Sequence, residues 1–431
     1  MHAAYLLGYL NTPKMQAELE FIATNLGKWV KSPDSFCVAD HTNRAGTLIY
    51  GNQYQVGQTH PENNILAGFF SGRLANAVRL EHEFPTVDLF TPAMVDFYEG
   101  AEDWYSEGFT MSVLYERISQ ATFGRMLPFI SFNPQRAVDY AKRAEARTPL
   151  GLVKKCIKDR NFIGVKLHPS VGFGPVENGL NACPNSRKQS PAAAAAYRMR
   201  YGTKLDQVLG DLFEYCADNE VPILTHGSPG IPANAGCMMP AGHEQDWLYA
   251  PKLWGRVLDA MKLRNPQKPL RLCIGHFAGA FSATKYWQPW LDSLLQVMEA
   301  HPTLYTDISI QRGLFPSKEG NHGELRQAFT KIFENNSKIL SSQALYGTDW
   351  HMPETMDVGG EYLHTLRDLV PASMRDNVFG LNAVEFLGLR KGRMNRARID
   401  EYQTWLQAQR PARAPKGYVP GWMAKVDALK A

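Results

Sequence analysis

Three residues have the types and positions to do metal or acid–base chemistry together: His226, His276 and Asp349. Each closes a short apolar run. Val221-Pro-Ile-Leu-Thr-His226 leads into the turn-forming Gly227-Ser-Pro-Gly230, Leu272-Cys-Ile-Gly-His276 into Phe-Ala-Gly279, and Ala344-Leu-Tyr-Gly-Thr-Asp349 into Trp-His351. Short apolar runs bounded by Gly and Pro are the pattern of buried strands. Parallel sheets, open or closed, place their chemistry at the C-terminal ends of strands. Two imidazoles and a carboxylate meeting there would suit a borderline divalent ion such as zinc. An ion with an open position brings the pKa of bound water toward ~7, and a neighbouring carboxylate or imidazole can move the proton. Taken singly, each residue is as well explained as a hydrogen-bonded strand end. Three in order, each followed by a helical pattern, favour a site.

Further candidates surround this set. Lys166 lies mid-strand in Phe162-Ile-Gly-Val-Lys-Leu-His168. Pointing inward it is a buried ammonium that needs a partner; pointing outward it snorkels between helices. His168, two residues on, shares its side and is either a substrate contact or a loop cap. His351 and His243 are candidate substrate contacts, His351 by following Asp349 and His243 from the long loop 231–249. Asp307 either orients a ligand or bonds to backbone. Asp88 and Asp96 read as structural. His2, His60, His82, His301, His322 and His364 fall in helices or polar loops and read as solvated.

The elements that must position these residues form a regular series. Residues 1–34 read as helical, and 35–86 contain at most weak strands, one ending at Asp40-His41. From residue 87 onward, seven apolar runs (87–96, 126–132, 162–168, 221–226, 272–276, 304–309 and 344–349) alternate with helical patterns at about 134–159, 204–219, 251–263, 284–300, 323–336, 360–370 and 380–388. This alternation predicts a parallel sheet with right-handed crossovers. With one further strand from the N-terminal segment it gives a distorted (β/α)8 TIM barrel. The competing open, doubly wound sheet lacks any Gly-rich dinucleotide or phosphate signature. The expected organisation is an N-terminal helical and irregular segment over 1–86, the barrel over 87–390 and a C-terminal helical extension over 391–431. The loops 170–203 and 231–249 follow strands and should shape specificity at the barrel mouth.

Composition excludes several classes. The 431 residues are 44% hydrophobic and 20% charged, with a net charge of +4, as in globular proteins with a full core. No basic run interleaved with aromatics suggests nucleic-acid binding. No apolar run reaches the ~18 residues of a membrane span. The six cysteines are scattered without a C-x-x-C pair, which argues against a zinc ribbon or a disulfide scaffold and for a reducing, cytoplasmic setting.

Gly164-Val-Lys-Leu-His-Pro169, Pro222-Ile-Leu-Thr-His226, Ile274-Gly-His276-Phe-Ala-Gly279, Leu345-Tyr-Gly-Thr-Asp349-Trp350 and Asn382-Ala-Val-Glu-Phe-Leu-Gly-Leu389 together resemble, in order, the amidohydrolase-2 branch of the amidohydrolase superfamily. The resemblance implies a (β/α)8 barrel and a metal-dependent hydrolase acting on a small polar substrate, with non-oxidative decarboxylation as a close variant. It implies a divalent metal, zinc being expected, with His226 and Asp349 as ligands and Asp349 also moving the proton. His276 would be a ligand or a group that polarises substrate or water. Lys166 matches a position carboxylated in other branches, a modification not assumed here. The family's H-x-H on the first strand is missing from this chain. That departure motivates the alternative of a non-catalytic amidohydrolase-like barrel serving as a binding or assembly subunit. The oligomeric state stays open between monomer and homo-oligomer.

Overall fold

The computed structural model describes residues 77, 80, 84, 86–96, 104–182, 191–227, 250–279, 281, 288–316, 322–350, 361–409 and 419–429. The expected strand at Asp40-His41, the loop 231–249 with His243, and His351 lie outside them. The chain divides into two compact units. One comprises 1–87 with 348–365, and the other 88–347 with 366–431. The larger unit holds the sheet.

Six strands run parallel: β1 Phe129–Ser131, β2 Gly164–Leu167, β3 Ile223–Thr225, β4 Leu272–Ile274, β5 Leu304–Asp307 and β6 Ala344–Leu345. They pair strictly in chain order. A doubly wound sheet reverses its strand order at a switch point, and no reversal occurs here. The stretch 90–94 extends the ladder before β1. Phe90 N–H donates to the Arg125 carbonyl, Leu127 N–H to Phe90, Phe129 N–H to Pro92 and Met94 N–H to Phe129. Pro92 has no N–H to give, which leaves this stretch as two bridges rather than a continuous strand. The seven apolar runs expected after residue 87 therefore form seven neighbouring, parallel segments.

The sheet is curled. Phe129 on β1 and Tyr305 on β5 both pack on the Phe386 ring, at 6.4 and 5.2 Å between centroids. Four strand spacings across a flat sheet would separate them by ~19 Å. Phe386 belongs to a plug supplied by the C-terminal part of the chain. Leu387, Leu389, Ile399, Trp422, Met423 and Val426 share one core with Leu127, Phe129, Cys273, Tyr305 and Leu345. From the expected extension 391–431, the described helices Met394–Gln409 and Gly421–Ala428 thus contribute side chains to the core inside the curl. The Trp422 indole donates to the Gly124 carbonyl at 2.9 Å and Lys425 pairs with Asp88, fixing the helix Gly421–Ala428 beside the start of the ladder.

Most crossover helices match their expected spans, with two departures. The helix expected over 134–159 is two, Pro134–Asp139 and Pro149–Asp159. Thr148 caps the second by accepting from Gly151 N–H, and Pro149 suits its first turn. The described parts of the expected loop, 170–182 and 191–203, are more ordered than a loop. They hold the helices Asn178–Asn181 and Pro191–Arg200, with Phe173 and Asn178 fully buried and Asn178 bonded to Asp206. His301 is also a correction. It is buried rather than solvated, its carbonyl accepts from Gln343, and its ring lies 3.5 Å from Asp259. Its place just after the helix Gln288–Ala300 tucks it under the sheet.

Cys156, Cys216 and Cys273 are free and buried. Burial pushes the Cys156 thiol up to about 12 and raises the other two. Thiolate, not thiol, attacks alkylating reagents, so these three should stay unlabelled by iodoacetamide in the native protein and react only in denaturant. Mass spectrometry of tryptic peptides checks this, and native labelling at any of the three would contradict the packing. Gly164 tests the sheet interior more sharply. A Cβ there would lie 2.2 to 2.7 Å from three ring carbons of Phe129, itself backed by Phe386. Gly164→Ala is expected to cost about 1–3 kcal/mol by overpacking. Urea unfolding measures it, and an unchanged midpoint would refute it.

Candidate active site

The ladder continues one residue past β3, where His226 N–H donates to the Leu167 carbonyl at 3.0 Å. This fixes the start of the His226 side chain beside the end of β2. His276 is placed by a different device. After β4 the chain turns left-handed, with φ of 63° at His276, 52° at Phe277, 50° at Ala278 and 77° at Gly279. L-residues are disfavoured there by ~1–2 kcal/mol each, so the surroundings must over-determine the turn. Phe277 and Ala278 are fully buried, and Phe277 packs among Phe281, Phe329 and Phe333. The His276 N–H donates to Asp307 Oδ1 at 3.0 Å, and its carbonyl accepts from Gln311 Nε2 at 2.9 Å.

This turn brings the two imidazoles into contact. His276 Nε2 lies 2.9 Å from His226 Nδ1, with the rings nearly edge to face. His276 Nδ1 lies 2.8 Å from Ser309 Oγ, and Ser309 Oγ–H donates to Asp307 Oδ1. On its other side the His226 ring stacks on His168, with centroids 4.4 Å apart. His226 Nε2 is buried and has no hydrogen-bond partner among the described residues. Burial holds the His226 imidazole well below its usual range, reinforced by His168, His276 and Lys166. It is neutral at neutral pH and keeps a lone pair, as a metal ligand or a base requires.

Lys166 proves to be the inward ammonium. It is 8% exposed, in register with Leu224, which in turn is in register with Cys273. Registered neighbours in a sheet point to the same face, so Lys166 shares the interior face with Cys273. It acts electrostatically on both Cys273 and His226.

The expected metal trio is assembled in its histidine part. Both ring nitrogens of His276 are hydrogen-bonded, Nδ1 with Ser309 and Nε2 with His226. Asp349 is exposed, adopts a left-handed φ of 53°, and belongs to the smaller compact unit. Among the described residues no group of three His, Cys, Asp or Glu side chains could hold a metal ion. The unpartnered Nε2 of His226 nonetheless fits one ligand of such an ion. Asp88 and Asp96 are in ion pairs, with Lys425 and Arg136 respectively. Ser309 and Gln311, which hydrogen-bond His276, are neighbours that sequence reasoning did not single out. Their signal was the alternation Asp307-Ile-Ser309-Ile-Gln311, although β5 ends at Asp307 and the chain turns at Ser309 and Ile310, with a φ of 47° at Ile310.

Comparison with solved structures gives distant likenesses. A probable 2-pyrone-4,6-dicarboxylic acid hydrolase from Acinetobacter baumannii is 13% identical, covering 72% of this chain and 88% of that one with a TM-score of 0.39. A 2,6-dihydroxybenzoate decarboxylase from Rhizobium is 13% identical, covering 72% and 87% with a TM-score of 0.41. A 5-carboxyvanillate decarboxylase from Novosphingobium aromaticivorans with bound manganese is 12% identical, covering 79% and 88% with a TM-score of 0.46. Comparison with curated protein sequences returns no match. Among the described residues no helix is long and apolar enough to cross a membrane. A family model, Amidohydro_2 (amidohydrolase), matches residues 74–389, well over half of the chain and all of the ladder that carries His226 and His276, and the chain belongs to that family.

Proposed function

We propose that the protein is a metal-dependent hydrolase of the amidohydrolase type acting on a small polar molecule, with non-oxidative decarboxylation as the close variant at the same site. The observation that carries this reading is the buried, unpartnered Nε2 of His226 in a chain of this family. A divalent ion, zinc by the nitrogen donor, would be held through His226 Nε2. When bound, such an ion supplies a nucleophilic hydroxide near neutral pH and polarises a carbonyl. His226 contributes a neutral, preorganised imidazole. His276 orients that imidazole through the 2.9 Å contact. Lys166 places a positive charge near His226, where it favours negative charge developing on the substrate oxygen. His168, stacked on His226, together with His243 and His351, would contact the substrate.

The test is metal analysis of the purified chain. About one bound zinc per chain, lost in His226→Ala, supports the reading; a folded chain that takes up no divalent metal overturns it. One specific observation favours the second reading, a non-catalytic barrel acting as a binding subunit: no three-ligand cluster stands among the described residues. The same measurement decides between the two.

A further inference from the structure

Two residues outside any motif, Asp307 and Ser309, end a directional hydrogen-bond chain that runs through both histidines. Asp307 Oδ1 accepts from the backbone N–H groups of His276 and Ser309, each at 3.0 Å, and from Ser309 Oγ–H. A carboxylate in this role only accepts, so the proton between Asp307 and Ser309 belongs to the hydroxyl. Having given its one proton, Ser309 Oγ can only accept from His276 Nδ1–H across 2.8 Å. A neutral imidazole carries one N–H. His276 Nε2 is then bare and accepts from His226 Nδ1–H across 2.9 Å. The direction thus propagates to His226 Nε2, the one ring atom of the chain without a partner among the described residues. The surroundings hold Asp307 and Ser309 in place. A Cβ on Gly347 would stand 3.3 Å from Ser309 Cβ, and one on Gly275 would stand 3.3 Å from Asp307 Oδ2, so the sequence leaves side chains off both sides of this pair.

We propose that Asp307 and Ser309 are positioning residues that fix the tautomers of His276 and His226, keeping the His226 lone pair on Nε2 for a metal. The hydrogen bond made by one ring nitrogen sets the state of the other, and outer partners of a metal-binding histidine commonly act this way. The inference rests on the reading of His226 as a ligand, yet its first measurement needs no metal. Nitrogen-15 NMR of the metal-free full-length chain, labelled at histidine and held at mildly alkaline pH, should show His226 protonated on Nδ1 and bare on Nε2. Ser309→Ala should mix the tautomers of both rings and raise the zinc Kd by about 10–100-fold. Ser309→Thr, which keeps the hydroxyl, should restore both. His226 protonated on Nε2 in the wild type, or tautomers unmoved by Ser309→Ala, would overturn the proposal. A chain with the expected tautomers that binds no zinc would instead sink the hydrolase reading and leave the tautomer assignment standing.

Discussion

His226→Ala is expected to strip bound metal from the protein and to lower kcat/KM on any substrate the wild type turns over by on the order of 10³-fold or more. The estimate follows from the several kcal/mol of transition-state stabilisation that metal catalysis supplies, at 1.36 kcal/mol per tenfold. Removing the ring also leaves His276 Nε2 without its partner, at a cost of about 1–3 kcal/mol for an unsatisfied buried group. Fold and function must therefore be read separately. Urea unfolding should show a variant destabilised by that amount and still folded, while metal content falls to background. His226→Gln, which keeps an amide near the same place, should be more stable and equally unable to turn over substrate. A His226→Ala variant that keeps both metal and activity would remove His226 from the site.

The strands were legible because a strand buried on both faces reads as an uninterrupted apolar run, and each such run contains one segment of the ladder. His226 and His276 were legible for the same reason, as polar residues at the ends of those runs. The orientation of Lys166 was not. A run such as Ile163-Gly-Val-Lys-Leu167 has no alternation from which to choose a face, and only the register with Leu224 and Cys273 assigns it inward. The left-handed turn at His276–Gly279 was also hidden, since Phe277 and Ala278 are not residues that favour positive φ. It is held by burial and by Asp307 and Gln311, which are distant in sequence. The part that Trp422, Met423 and Val426 play in the core was not legible in the expected C-terminal extension, because they are spread over a helix of eight residues, too few for a periodic pattern to stand out. His276 shows the limit for chemistry. The resemblance implied a ligand or a group that polarises substrate or water, and the hydrogen bonds of both its nitrogens add a positioning role.

Asp96→Ala is expected to be the most destabilising of these substitutions, by about 3–5 kcal/mol, because it would remove a doubly hydrogen-bonded carboxylate from a buried guanidinium. Arg136 Nε donates to both Asp96 oxygens, at 2.8 and 3.0 Å, and the two side chains are 4% and 7% exposed. The pair joins the stretch 90–96, bridged to β1 at only two positions, to the helix Pro134–Asp139 that follows β1. Asn133 strengthens the same junction. Its side chain accepts from Gln135 N–H while capping that helix, and its amide donates to the Asp96 carbonyl at 3.3 Å. This second tie uses backbone, so it survives the loss of the Asp96 side chain, and the measured cost belongs to the charge. Pairing the change with Arg136→Met should recover much of the lost stability, since replacing a buried ion pair by apolar groups is often close to neutral. Urea denaturation of the two single variants and the double variant forms the cycle that isolates the pair. A loss below ~1 kcal/mol for Asp96→Ala, the range of solvated pairs, would show that Arg136 reaches water and that this junction is held by the Asn133 bonds instead.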